Sequence, residues 1–251
     1  MQRKALVHAR LRGYRGSMES LATQSEDRLG GSRSVLVRQK RDHIALDELL
    51  RQIDGAHGRA RQELLTRLCR LVFPHAFAEE SVLWPLVRRV LPDGEELTLR
   101  IEREHQEINE LFTELERLDP DSSEHRQLFD RIAGLLRQDV RDEEDDLLPK
   151  LQDALPRNRW IALGVAWEMV RRTAPTRPHP VVARRPPGNV VAAAPLTVTD
   201  RLRDRLDQVA RRAHGAPSSA ARHASAALAA VAGRVEHLPP LTRGERPETH
   251  T

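Results

Sequence analysis

His75-Ala-Phe-Ala-Glu79-Glu80-Ser-Val-Leu-Trp-Pro85 and Asp139-Val-Arg-Asp-Glu143-Glu144-Asp-Asp-Leu-Leu-Pro149 are one pattern written twice. Each run opens on a side chain able to bind a metal, carries Glu four residues on, adds a second Glu, and reaches Pro ten residues after its start. Residues four apart share one face of an α-helix, so His75 with Glu79, and Asp139 with Glu143, can reach the same or adjacent ions. Upstream, Asp42-His43 corresponds to Glu104-His105, and Asp47 to Asn109. The spacing reads as a helix pair that has been duplicated.

Turn signals lie between these stations. Asp54-Gly55-Ala56-His57-Gly58 falls midway from His43 to His75, Pro92-Asp93-Gly94 from Glu79 to His105, and Asp119-Pro120-Asp121-Ser122 from His105 to Asp139. Short connections make neighbouring helices antiparallel. Folding at those turns brings His43, His75, Glu79, His105, Asp139 and Glu143 to one level. Apolar residues at helical spacing, such as Leu97, Ile101, Ile108, Leu111 and Leu115, predict helices over about 34–53, 59–91, 94–118 and 122–148. Pro74 and Pro85 are expected to disturb the second of these. A fifth helix is expected over about 157–172, as a lid or a homodimer contact. The expected fold is all-α: an up-down-up-down four-helix bundle over 34–155, preceded by a disordered or weakly helical segment over 1–33. An accessory helix and a long, mostly irregular basic extension follow over 156–251, with short helices only over 197–213 and 218–235. Met18 is a possible start.

Charge is segregated. Residues 1–41 hold ten Lys/Arg against three Asp/Glu, residues 42–155 hold 15 against 27, and residues 156–251 hold 16 against seven. The basic ends either pack on the acidic middle or meet nucleic acid or an anionic surface; no recognised nucleic-acid motif supports the second reading. No stretch approaches the ~20 apolar residues of a membrane span, and the N-terminus lacks the apolar core of a secretory signal, so a cytoplasmic protein is expected. The single cysteine, Cys69, excludes an intramolecular disulfide and any multi-cysteine metal site. It reads as a buried, inert thiol. His57, His179, His214, His223, His237 and His250 read as surface residues.

The repeated stations, carboxylates and prolines resemble the hemerythrin-like HHE cation-binding domain over about residues 40–150. The resemblance implies a four-helix bundle holding a non-haem iron pair through histidines and bridging carboxylates. Its candidate ligands here are His43, His75, Glu79, His105 and Glu143, with Glu80, Glu144, Asp47 and Asn109 as secondary candidates. The family normally has histidine where this chain has Asp139, which can also ligate iron. Replacing an imidazole by an anionic oxygen favours the ferric state. That argues against reversible oxygen carriage and towards turnover with peroxide or oxygen, or towards a single-ion or degenerate site.

The function expected is therefore an iron protein that senses or handles oxygen, nitric oxide or peroxide. A ferritin-like carboxylate oxidase uses two Glu-x-x-His motifs, of which only Glu102 to His105 occurs here. A metal-free helical interaction module acting through its basic tail is the other alternative. No hydrolase or kinase motif stands out.

Overall fold

The computed structural model describes residues 19–244 and 246–249, so Met18, His250 and the rest of 1–18 lie outside the described residues. All regular structure among the described residues is helical. Helix α1 spans Val35–Asp54 and α2 spans Gly58–Ala78; a π turn at Glu79–Leu83 leads into α3, Trp84–Val90. Helix α4 spans Gly94–Leu115 and α5 spans Ser123–Asp142; a second π turn at Glu143–Leu147 leads into α6, Leu148–Ala154. Then come α7 (Arg157–Thr173), α8 (Gly188–Arg212) and α9 (Ala216–Glu236). Ser34 Oγ caps α1 by accepting from the Leu36 N–H at 3.2 Å, and Ser122 Oγ caps α5 by accepting from the His125 N–H at 3.1 Å. Helix α1 packs on α2 and touches α5, and α4 packs on α5.

The two π turns are the local outcome of the repeat. In each, an N–H reaches back five residues instead of four, from Trp84 to the Glu79 carbonyl and from Leu148 to the Glu143 carbonyl. The next residue is Pro85 or Pro149, which has no N–H to lose. The disturbance expected at Pro85 takes the form of this widened turn, beyond which the helix resumes as the separate segment α3.

Apolar side chains form two layers. Leu46, Leu50, Ile53, Leu68, Phe73, Ile108, Phe112, Phe129, Ile132 and Leu136 fill one, and Val35, Leu36, Leu83, Trp84, Leu97, Ile101, Leu147 and Leu151 belong to the other. Each fully buried Leu or Ile contributes roughly 1.5–3 kcal/mol. On every long helix the candidate ligands fall between the residues of one layer and those of the other: His43 between Val37 and Leu46, and His105 between Ile101 and Ile108. The site is thus a polar belt with an apolar plug on either side.

Of the segment expected to be disordered or weakly helical, residues 19–33 carry a short 3-10 helix at Leu21–Thr23, and Leu21 and Leu29 are fully buried in the second layer. Across from them, Gly164 of α7 lies so close that a Cβ would stand 2.0 Å from the Arg33 carbonyl oxygen. The C-terminal extension is not mostly irregular as expected, since α8 and α9 pack together as a helical hairpin. Helix α8 runs through Pro195 and begins at Gly188. Its core uses small residues, Ala192 and Ala232 with Val182, Leu196 and Leu241. A count of large apolar side chains misses such a core. The rest of its hold is ionic. Arg177 and Arg203 bind Glu116, and Arg185 and Arg246 bind Glu95, so part of the basic extension neutralises the acidic helices.

His179, read as a surface residue, is buried: Nδ1 lies 2.8 Å from Glu236 and Nε2 lies 3.0 Å from Asp200. Burial opposes its charge, but the hydrogen bonds to Asp200 and Glu236 prevail and raise it to about 9. Among the described residues no helix is long and apolar enough to cross a membrane.

Candidate metal centre

Six side chains converge in the belt. His43 comes from α1, His75 from α2, Glu79 and Glu143 from the π turns, His105 from α4 and Asp139 from α5. They form two overlapping groups whose ligand-capable atoms lie within 4.8 Å of one another: His43, His75, Glu79 and Glu143 in one, His105, Asp139 and Glu143 in the other. His75 Nε2 is 3.0 Å from Glu79, His43 Nε2 is 3.2 Å from Glu143, and His105 Nε2 is 3.5 Å from Asp139 and 3.8 Å from Glu79. Glu79 is 0% exposed and Glu143 1%.

Each histidine also has a carboxylate behind it, on the other ring nitrogen. His43 Nδ1 is 2.9 Å from Glu144, His75 Nδ1 is 3.2 Å from Asp42, and His105 Nδ1 is 3.0 Å from Glu80. A carboxylate at Nδ1 fixes the ring and leaves Nε2 as the donor. The partners cross between the repeats: Glu80 of the first serves His105 of the second, and Glu144 of the second serves His43 of the first. Where the fourth imidazole would be, Asp139 stands near Glu104. Burial, followed by the charges of Asp139 and Asp142, raises Glu104 to about 8. The site has one carboxylate partner without a ring.

Electrostatics set the protonation. Burial pushes His43 down, but the carboxylates of Glu143 and Glu144 beside it outweigh that and raise it to about 9. His75 and His105 are raised well above 6.5 against the same burial penalty, by Glu79 and Asp42 and by Asp139 and Glu80 respectively. Burial raises Glu143 to about 8, with the Glu79 and Asp139 charges adding to it. Glu79 is lowered, because His75, His105 and His43 overcome its burial.

The donor set fits a metal. Glu79 Oε2, Asp139 Oδ1 and both Glu143 oxygens are buried without a hydrogen-bond partner. Buried anionic oxygens without partners are costly, and a cation among them removes that cost. Three imidazoles and three carboxylates suit a first-row transition ion. Beside the cluster, a cavity of about 30 Å³ is lined by Leu46, Phe73, Ile108 and Leu136 as well as His43 and Asp139. That volume is room enough for a water-sized molecule.

The secondary candidates separate. Glu80 and Glu144 stand one layer out, behind histidines. Asn109 Nδ2 donates to the His105 carbonyl at 2.8 Å, and its Oδ1 accepts from the His179 N–H at 3.0 Å, so it braces rather than faces the cluster. Asp47 is exposed, on Arg51. Glu102 of the Glu-x-x-His motif is buried but bound by Arg88 and Arg185. Asp42, a partner of His75, is not among the residues that helical spacing singles out. Its sequence signal was its place directly before His43, matched by Glu104 before His105.

Helices with imidazoles and carboxylates converging at mid-length define a cation-binding helical protein. Residues 35–151 match the family model described as Hemerythrin HHE cation binding domain, and the chain carries such a domain. A protein named "DNA nickase" from Nostoc sp. (strain PCC 7120 / SAG 25.82 / UTEX 2576) is 24% identical over 150 residues, 59% of this chain. Those residues make up 42% of that relative, so the match spans about two-fifths of its length. No solved structure matches the chain.

Proposed function

We propose that the chain binds iron in an up-down-up-down four-helix bundle, at one or two positions, and senses or turns over a small ligand such as oxygen, nitric oxide or peroxide. The ligands are His43, His75, Glu79, His105, Asp139 and Glu143, with Glu143 shared. The observation that carries this reading is the set of four buried, partnerless carboxylate oxygens among three imidazoles whose Nδ1 atoms are already engaged. Bound iron would supply redox chemistry and an open coordination position. The chain's residues would supply the rest: Asp42, Glu80 and Glu144 orient the rings, the apolar layers exclude water, and the cavity admits one small molecule. Protein from iron-supplemented cells should contain iron, up to two ions for the two groups. His75→Ala or His105→Ala should abolish it. Unchanged metal in both variants would place the centre elsewhere. Ferric charge-transfer absorption that responds to oxygen, nitric oxide or peroxide would identify the ligand.

A second reading is DNA contact by the α8–α9 hairpin. Its Asp200, Asp204 and Glu236 are buried and Asp207 binds Arg177, while Arg205, Arg212, Arg222 and Arg234 are exposed. Outward cations with inward acids suit a phosphate backbone, and the relative named a DNA nickase favours the same partner. Salt-dependent binding of duplex DNA, lost when those four arginines become glutamine, would support it. No binding at low salt would remove it.

A further inference from the structure

The segment that follows the domain reaches the carboxylates behind the histidines. Arg171 of α7 places Nη1 3.8 Å from Asp42 Oδ2, and Asp42 holds His75. Arg184 places Nη1 3.7 Å from Glu80 Oε1, and Glu80 holds His105. Two of the three histidines are thus each backed by a carboxylate and then by an arginine from beyond residue 155.

Arg184 is itself built in. It is 7% exposed, and its Nη2 donates to the carbonyls of His179 at 2.7 Å and Val182 at 3.1 Å. The extension's own backbone holds the guanidinium in place. That backbone is pinned beside the site at several points. Gln106 Nε2 donates to the Pro180 carbonyl at 2.9 Å, the His179 N–H donates to Asn109 Oδ1 at 3.0 Å, and Asn189 Nδ2 donates to Ser81 Oγ at 3.2 Å. Arg185 binds Glu102 at 2.8 Å. These four anchors in the domain are close neighbours of cluster residues: Ser81 follows Glu79 and Glu80, while Glu102, Gln106 and Asn109 surround His105 in α4. Taking an arginine out of water is costly, and nothing in the two apolar layers requires one at this place.

A ligand histidine is aimed by whatever holds its second nitrogen, and that holder is aimed by its own partners. We propose that residues 171–189 are a working part of the metal centre. Arg171 and Arg184 are its positioning residues, fixing the carboxylates of Asp42 and Glu80 so that Nε2 of His75 and His105 points at the ion. This rests on the metal reading above and extends the centre beyond the matched domain.

The test uses the full chain as wild type, Arg184→Gln, Arg184→Lys and Arg171→Gln. Iron(II) without oxygen, and zinc, are the probes. Affinity is read by chelator competition, and ring geometry by histidine ¹⁵N NMR of the zinc form. Loss of an outer partner typically costs 10–100-fold in metal affinity. A loss of that size is expected in Arg184→Gln and Arg171→Gln, with displaced His105 and His75 ring signals respectively and unchanged helix content. Arg184→Lys should recover part of it. Wild-type affinity and ring signals in the glutamine variants overturn the proposal, and should Arg184→Gln not fold, Arg171→Gln alone decides in the same way. A wild type that takes up neither ion removes the metal reading and this proposal together. A wild type that binds while the variants bind equally removes this proposal alone.

Discussion

Asp139 is the residue that sets this centre apart from a histidine-complete one. Its counterpart in the first repeat is His75, which Asp42 holds, and the counterpart of Asp42 is Glu104. Asp139→His would give Glu104 a ring to hold. The variant is expected to retain metal and to shift its absorption towards that of a more imidazole-rich site. Loss of metal in Asp139→His, measured by elemental analysis, would show that the two repeats are not equivalent at this position.

Two other residues of the cluster carry a pH dependence. His43 is raised from 6.5 to about 9, and Glu143 from 4.5 to about 8. In the metal-free fold both keep protons that the unfolded chain has already released. Their effect therefore runs one way: stability falls as pH climbs from 4.5 towards about 8 for Glu143 and from 6.5 towards about 9 for His43. Metal-free protein should show a lower urea midpoint at pH 9 than at pH 6. Metal has to displace these protons, so its affinity should rise over the same window. Calorimetry in two buffers of different ionisation enthalpy would detect the release.

At the scale of elements, helix identity was legible and helix detail was not. Helical spacing of apolar residues and three Gly/Pro turns located α1, α2, α4 and α5, because a buried stripe and a broken helix both leave marks in sequence. The convergence of six candidate side chains was legible too, since four-residue spacing fixes which side chains share a face. The π turns were not, although Pro85 and Pro149 marked where they end; a proline signals only a missing donor, not how the chain adapts. The α8–α9 hairpin is less legible, because its core joins two alanines to only a few larger apolar side chains and its anchors are ionic. Those anchors give a prediction. His179→Ala leaves Asp200 and Glu236 buried without their shared partner, which should cost about 3–5 kcal/mol and expose the extension to limited proteolysis. Gly164→Ala would drive a methyl into the Arg33 carbonyl. It should cost about 1–3 kcal/mol, seen as a lower thermal midpoint in metal-free protein.

For the molecule as a whole, the division of charge has a structural meaning that the totals conceal. A share of the C-terminal arginines is spent on Glu80, Glu95, Glu102 and Glu116 of the acidic helices. High salt should therefore loosen the extension from the domain before it melts either of them, in proportion to how exposed each pair is. Hydrogen exchange at low and high salt would separate the two events. Simultaneous loss of protection in both parts would mean they unfold as one.

The two ligand groups are not alike. One has two imidazoles with Glu79 and Glu143, and the other has a single imidazole with two acids. A duplicated scaffold ordinarily yields twin seats; here Asp139 stands where the repeat has His75, so one group balances imidazoles with acids and in the other acids outnumber the imidazole. If two ions bind as proposed, these unlike seats should fill with different affinities, and titration with a single metal should then show two steps, with Glu143 common to both groups.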